Sequence, residues 1–456
     1  MNSILTPVLS HALTPAMTDL VAASPIPDAG AALITQKLEY LIPEIILFAA
    51  TCIVMMVGLS RSPGTRNIAA GLSVVALIAA GVAAFFGPAG VEGTALPFMM
   101  PYAKAVIAAV GVLLVLTLAG TVDREFEDAV RRGRTFDPIR STRGEFYAFV
   151  LFSLTGLMLC ASADDLIWIF LALELTSLPT YVMVSVSTPR SRSQEAGVKY
   201  FFLGAFGAAT FLMGFALLYG AAGTTQLFGE VSIASALVAE QAATGSIGPI
   251  ALAGIVLSIL GVSFKIAAVP MHFYTADVYE GAAAPVSAFL AFVPKTAGFI
   301  VLALLLATVG WGNTTPDPGS VAGAASTGDL PDAVRVTLWT LAALTMTVGN
   351  VLAIQQSSIK RMLAYSSVAH SGYMLVGLIA GPGDTLPANG LGAVFFYLLA
   401  YGVMNLGAFA VVASLERRRS LAGSAEEVDH IDAIRGLART EPVLGWTMVL
   451  SAASLL

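Results

Sequence analysis

The sequence is short of charge. Only 11% of its 456 residues are Asp, Glu, Lys or Arg, against about 25% in ordinary soluble domains, which excludes a water-soluble globule. It holds two cysteines, Cys52 and Cys160, each inside an apolar stretch. That is too few for an iron–sulfur or zinc centre, and the placement suits packing better than a disulfide. No G-x-G-x-x-G, no lysine following glycine, no C-x-x-C and no H-E-x-x-H occurs, so the chain has no evident means of holding a nucleotide, flavin, cluster or catalytic zinc. It also lacks a basic stripe, which leaves nucleic-acid binding without support. No Lys or Arg precedes Lys37, so the N-terminus lacks the charged start of a signal peptide.

What the chain has instead is hydrophobicity, 57% of residues and a mean hydropathy of +0.83. Crossing a bilayer takes about 20 apolar residues. Twelve segments qualify, at 41–59, 68–87, 103–120, 145–162, 165–187, 198–221, 248–271, 284–309, 334–354, 366–380, 389–414 and 441–456. The fold class is therefore an all-α polytopic membrane bundle. Residues 1–36 form an apolar, proline-containing extension without an assigned role.

The basic residues check this count. Seventeen of the 23 Lys and Arg fall in loops after odd-numbered segments. Loops after even-numbered ones carry acids such as Glu92, Glu230, Asp317 and Asp384. By the positive-inside rule the odd loops face the cytoplasm and the N-terminus faces outside. Of the remaining cations, Lys37, Lys104 and Arg335 sit at segment starts, where a long side chain snorkels to the interface, and Lys199 is near an end.

Lys265 and Lys295 lie within their segments, and Glu174 within the fifth. A charge at mid-membrane costs about 2.5–3.5 kcal/mol on the insertion scale, so such residues face the bundle interior and find partners. Glu174 and Lys265 make the natural pair, each holding the other's charge. Lys295 is left without a carboxylate, which would let it gain and lose a proton. A merely structural role is the alternative; two lysines sharing one obvious acid argue against it, and buried pairs are weak evidence for stability in any case. Pro270 removes a backbone donor ahead of the polar run "HFYTADVYEG", so the seventh helix is expected to break there, a simple kink being the bland reading. Broken helices mark ion sites in transporters. His272 reads as a structural histidine. His370, with Ser366, Ser367 and Ser371, falls where the tenth segment opens, and it suits either a proton relay or a satisfied structural role. Glu44, in the first turn of the first segment, suits the helix dipole.

The stretches "FLALELTSLPTYVM", "EAGVKYFFLGAFGAATFLMGFALLYG", "FKIAAVPMHFYTADVYEGAAAPVSAFLAFVPKTAGF", "IKRMLAYSSVAHSGYMLVGL" and "AVFFYLLAYGVMNLGAFAVV" together resemble the antiporter-like subunits of bacterial respiratory complex I, over roughly Leu41 to Leu456. The L-E-L-x-S-L and E-A-G-V-K-Y-F-x-L-G runs favour the subunit-N branch over its L and M paralogues. The resemblance implies a proton-translocating membrane-arm subunit of NADH:quinone oxidoreductase in the bacterial inner membrane. It would have two inverted five-helix repeats, each with a broken helix. Residues 37–144 would hold the first three helices, 145–310 the first repeat and 334–456 part of the second. Glu174 and Lys265 match the family's coupled pair and Lys295 its central lysine; Lys199 and His370 fall at positions associated with the same axis. NADH, FMN, iron–sulfur clusters and quinone would belong to partner subunits, among them antiporter-like paralogues. The family's last key lysine would follow "SAASLL", where this sequence stops, so the second repeat is expected to be incomplete in it. A subunit of a cation/proton antiporter is the alternative, and a structural membrane scaffold a third.

Overall fold

The structure, a computed structural model, describes residues 37–60, 62–87, 99–119, 122, 133, 142–188, 190–311, 330–382, 389–421 and 429–455. The extension 1–36 lies outside them. In chain order the helices are α1 (Ile42–Gly58), α2 (Pro63–Phe86), α3 (Met99–Leu118), α4 (Arg143–Ala161), α5 (Leu166–Val186), α6 (Ser191–Ala222), α7 (Ile233–Thr244), α8 (Pro249–Ser263), α9 (Thr275–Gly281), α10 (Ala284–Leu306), α11 (Asp332–Ile354), α12 (Ile359–Ala380), α13 (Gly390–Leu421), α14 (Leu437–Thr440) and α15 (Pro442–Ser454). Among the described residues, nine helices are long and apolar enough to cross a membrane; α1, α8 and α15 are apolar but shorter. The only extended pairings among those residues are two isolated bridges, Asp165 with Gln226 and Ser358 with His430.

The bundle is built around α10, every residue of which is buried. The outer rows are apolar, with Phe48, Met56, Phe85, Phe202, Ile354 and Phe396 exposed, as a lipid-facing surface requires. Small residues let the helices approach closely. At Gly156 of α4 an added Cβ would stand 2.5 Å from the Thr176 nitrogen of α5, whereas at Gly71 it would meet nothing within 4 Å. Gly156→Ala is therefore expected to destabilise the protein by about 1–3 kcal/mol, the usual penalty of overpacking, and Gly71→Ala to change little. Thermal denaturation of the purified protein distinguishes the two; equal midpoints would refute this account of the α4–α5 contact.

The structure shifts several boundaries expected from the sequence: the second segment starts at Pro63, the sixth at Ser191, and the eleventh runs on to Leu421. The tenth segment starts at Ile359, not at residue 366, because Ser358 caps the helix by accepting from the Arg361 N–H at 3.2 Å. Ser366, Ser367, His370 and Ser371 are thus mid-helix. Lys360 and Arg361 lie in the first turn and not in the preceding loop. Positive charge is unfavourable at a helix N-terminus, and acids compensate it: Glu416 meets Lys360 at 2.7 Å, while Asp277 and Glu280 each meet Arg361 at 2.9 Å. The sequence also gave no sign of α7, which lies between the sixth and seventh segments.

The seventh helix does break, but at Ser263, ahead of Pro270. Residues 264–274 are non-helical, and Ala267 adopts a left-handed φ of 55°. Backbone groups released inside a membrane protein must find partners within it. The Ala268 N–H donates to the Ser263 carbonyl at 2.9 Å and the Val269 N–H to Thr345 Oγ1 of α11, also at 2.9 Å. The Phe264 carbonyl accepts from the Tyr274 hydroxyl at 3.0 Å. An aromatic stack steadies the break, with Phe264 and Tyr274 ring centroids 4.3 Å apart and Tyr274 and Tyr200 5.2 Å apart. Pro294, by contrast, sits within an unbroken α10.

Candidate functional site

Four elements meet at the break. Helix α5 presents Glu174 and, three residues on, Ser177 on the same face, and the stretch after α8 presents Lys265. Lys265 is 2% exposed; its Nζ donates to Ser177 Oγ at 2.6 Å and lies 3.4 Å from Glu174 Oε1. The nearer partner is the neutral hydroxyl. Glu174, 19% exposed at its side chain, is thus a loosely held counter-ion, and Lys265 keeps an acceptor if the carboxylate moves away. A second, weaker support is the Phe211 ring, whose centroid lies 6.0 Å from Nζ.

Lys295 stands on α10, 1% exposed. Its Nζ donates to the Ser367 carbonyl at 2.5 Å, to Ser371 Oγ at 2.8 Å and to the Ile266 carbonyl at 3.3 Å. Two of these acceptors belong to α12, and the third is the residue next to Lys265. The break therefore joins the two lysines: any displacement of the Lys265 backbone carries an acceptor of Lys295 with it. All three partners are uncharged.

His370 is buried one residue before Ser371, and its Nδ1 lies 2.6 Å from the Tyr397 hydroxyl of α13. Its ring is 5.0 Å from that of Tyr401. It stands beside the Lys295 shell without touching the ammonium through any hydrogen bond described. His272 lies half-buried in the break.

Lys199 is elsewhere. It is partly exposed, with Nζ 2.7 Å from Glu195 Oε1 and 3.1 Å from Asp277 Oδ2. Asp277 also meets Arg361, and Glu280 lies between Arg361 at 2.9 Å and Arg192 at 3.4 Å. This network clamps the short α9, lying outside the candidate spans, between α6 and α12. Burial pushes the Asp277 carboxyl up, but hydrogen bonds from Lys199 and Arg361 outweigh it and hold the group below the usual carboxylate range.

The sequence reading missed a second buried ion pair. Glu44 of α1 and Lys104 of α3 lie 2.8 Å apart at side-chain exposures of 4% and 2%. Lys104 therefore does not snorkel to the interface; it turns inward because a carboxylate and the Tyr40 carbonyl wait there, the latter at 2.6 Å. Lys37, expected to snorkel as well, pairs with Asp164 at 2.8 Å, and Arg335 with Asp332 at 2.5 Å. Cys160 is buried, but Cys52 faces outward and does not serve core packing. Among the described residues no group of three or more His, Cys, Asp and Glu is placed to hold a metal ion.

A buried lysine facing a carboxylate at a broken helix, with a second buried lysine beside it inside a multi-span bundle, is an arrangement of the kind that marks ion-translocating membrane proteins. The chain matches the model of the NADH:quinone oxidoreductase/Mrp antiporter transmembrane family over residues 163–316 and 329–456, and it belongs to that family. It is 36% identical to the NADH-quinone oxidoreductase subunit N of Trichlorobacter lovleyi over 92% of this chain and 78% of that one. With the protein of the same name from Myxococcus xanthus the identity is 37%, over 90% and 77%. Among solved structures, a chain of respiratory complex I from Thermus thermophilus superposes with a TM-score of 0.64 at 28% identity, covering 91% of this chain and 78% of that one. A chain of the Mrp complex from a Dietzia species gives the same TM-score at 18% identity over 92% and 71%, a likeness of fold alone.

Proposed function

We propose that this chain is a proton-translocating membrane-arm subunit of an NADH:quinone oxidoreductase, with NADH, FMN, iron–sulfur clusters and quinone handled by partner subunits. The observation that carries this reading is the linkage at the helix break, where Lys265, loosely paired with Glu174, is the chain neighbour of a carbonyl that holds Lys295. In this mechanism electron transfer in the partner subunits displaces Glu174 from Lys265. Lys265 falls back on Ser177, the segment 264–274 adjusts, and the Ile266 carbonyl moves relative to Lys295. The ammonium then releases its proton towards Ser371 and His370, and regains one when the pair re-forms. A shift of this kind needs an element with two arrangements, and the non-helical segment supplies it. Lys199, with Asp277 and Arg361, would anchor the far end of that element and supply protons from the surface.

The inverted-repeat reading has its own support. The Asp165–Gln226 bridge stands at the start of α5 and the Ser358–His430 bridge at the start of α12. These two helix starts are on opposite faces of the bundle, as two copies of one motif in inverted orientation require. With the arginine-rich loops in the cytoplasm, the first bridge lies outside and the second inside.

The test is to tag the chain in its native membrane, solubilise it gently and assay what accompanies it. Flavin, iron–sulfur clusters and NADH:quinone reductase activity are expected. A flavin-free assembly that exchanges sodium for protons would overturn the reading in favour of a cation/proton antiporter.

A further inference from the structure

The buried pair between α1 and α3 lies apart from the path just described, and its surroundings repeat the chemistry of the Glu174–Lys265–Ser177 group. An acid, Glu44, an amine, Lys104, and a hydroxyl, Ser162, stand together. Ser162 donates to Glu44 Oε1 at 2.8 Å, and Lys104 Nζ lies 2.8 Å from Oε1 and 3.0 Å from Oε2. Ser162 also lines a cavity of about 40 Å³, with Tyr40, Lys37, Asp164, Met99 and Trp168, while Glu44 and Lys104 stand behind that wall. A cavity that size admits one or a few waters and offers them several polar partners. Its polar rim is the Lys37–Asp164 ion pair, both partners partly exposed. A graded series thus runs from a half-solvated carboxylate through a cavity large enough for water to a carboxylate shut off from solvent. The series sits on the bundle face that bears the Asp165–Gln226 bridge, opposite the Arg192–Lys199–Arg361 cluster.

We propose that Glu44 is a second proton-binding site of this chain, loaded from that face through the Lys37–Asp164 mouth; the proposal rests on the reading of the chain as a proton translocator. The step is one net proton transfer through Ser162, which lines the cavity and hydrogen-bonds Glu44 Oε1. A hydronium in the cavity gives a proton to Ser162 Oγ as the hydroxyl passes its own to Glu44 Oε1, two O–H bonds breaking as two form, and a water remains. The pair passes from net zero to a single positive charge. That charge is not orphaned, because Lys104 retains the Tyr40 carbonyl at 2.6 Å while Ser162 holds Oε1. The ionisable and polar groups meeting Glu44 are Lys104 from α3 and Ser162 from the end of α4; the cavity adds Tyr40 and Lys37 from the chain before α1 and Asp164 from the α4–α5 connection, and α10 contributes only Leu304 to it. A purely structural pair would need neither the water-sized cavity nor the surface acid at its mouth.

The experiment is infrared difference spectroscopy of the whole purified complex between high and low pH. It compares the wild type with Glu44→Gln and Ser162→Ala. In the wild type a carbonyl stretch of a newly protonated carboxyl is expected that Glu44→Gln removes and Ser162→Ala moves in frequency, because it deletes a hydrogen bond to that group. Spectra of wild type and Glu44→Gln that superimpose would overturn the proposal. Should Glu44→Gln fail to assemble, Ser162→Ala decides alone, and an unmoved band overturns it. A wrong reading of the parent complex shows separately, as a wild-type preparation free of flavin and reductase activity.

Discussion

Lys295→Ala is expected to lower proton translocation by about 10²-fold or more, the usual loss on removing a positioned proton carrier. NADH oxidation should continue in the assembled complex to the extent that it can run uncoupled from this chain. The expectation follows from the geometry: the ammonium is the only charged group among its own contacts, and two carbonyls and a hydroxyl cannot replace it as a carrier of protons. Structural loss is smaller than stranding a charge would cause, since alanine leaves behind a cavity and neutral acceptors and not an unpaired charge. The Ser367 carbonyl keeps its Ser371 donor at 3.1 Å. The measurement is acidification driven by NADH in vesicles or liposomes holding the complex, normalised to electrons transferred. A ratio unchanged from wild type would remove Lys295 from the path.

The second large effect concerns the asymmetry of the Glu174–Lys265 pair. Breaking a buried ion pair by removing one partner costs about 3–5 kcal/mol, because an uncompensated charge remains. Here the two charges are not equally buried. Glu174→Gln strands an ammonium that is almost wholly enclosed, while Lys265→Met strands a carboxylate that retains some solvent. Glu174→Gln should therefore destabilise the protein more, with Ser177 tempering the loss, and Glu174→Gln combined with Lys265→Met should recover much of it. Thermal midpoints of the three variants, read as a double-mutant cycle, test this. A double variant less stable than both singles would refute it. All three should lose translocation, which separates function from stability.

Which parts of this site were legible in the sequence follows from where charge is expensive. Glu174, Lys265 and Lys295 stood out because each interrupts a long apolar run, and nothing but an enclosed partner permits that. Glu44 and Lys104 did not, because both lie near segment starts, where snorkelling is an equally good outcome; only the packing of α1 and of α3 against α4 decides for enclosure. The break was legible as an event but not in place. Pro270 announces non-helical backbone, yet the helix ends seven residues earlier at Ser263, where the Tyr274–Phe264–Tyr200 stack and Thr345 provide the replacement contacts. Those partners are distant in sequence. The partners of Lys295 were hidden for a related reason: two are main-chain carbonyls, which no residue code reports. The start of α12 was missed because Lys360 and Arg361 read as loop, and their compensating acids come from α9 and α13.

The full enclosure of α10 has an electrical consequence. A helix touched on all sides by other helices meets neither lipid headgroups nor bulk water, so the surroundings of Lys295 cannot reorient to screen a nearby charge. Coulomb interactions there act at a far lower effective dielectric than at the surface, and mobile ions do not attenuate them as they do in solvent. A small change in charge or position at the Glu174–Lys265 pair would thus be felt at Lys295 more strongly than the same change at the protein surface. On the proposed mechanism the apolar sheath would work as insulation around a conductor, keeping the signal between the two lysines from leaking into the medium on either side.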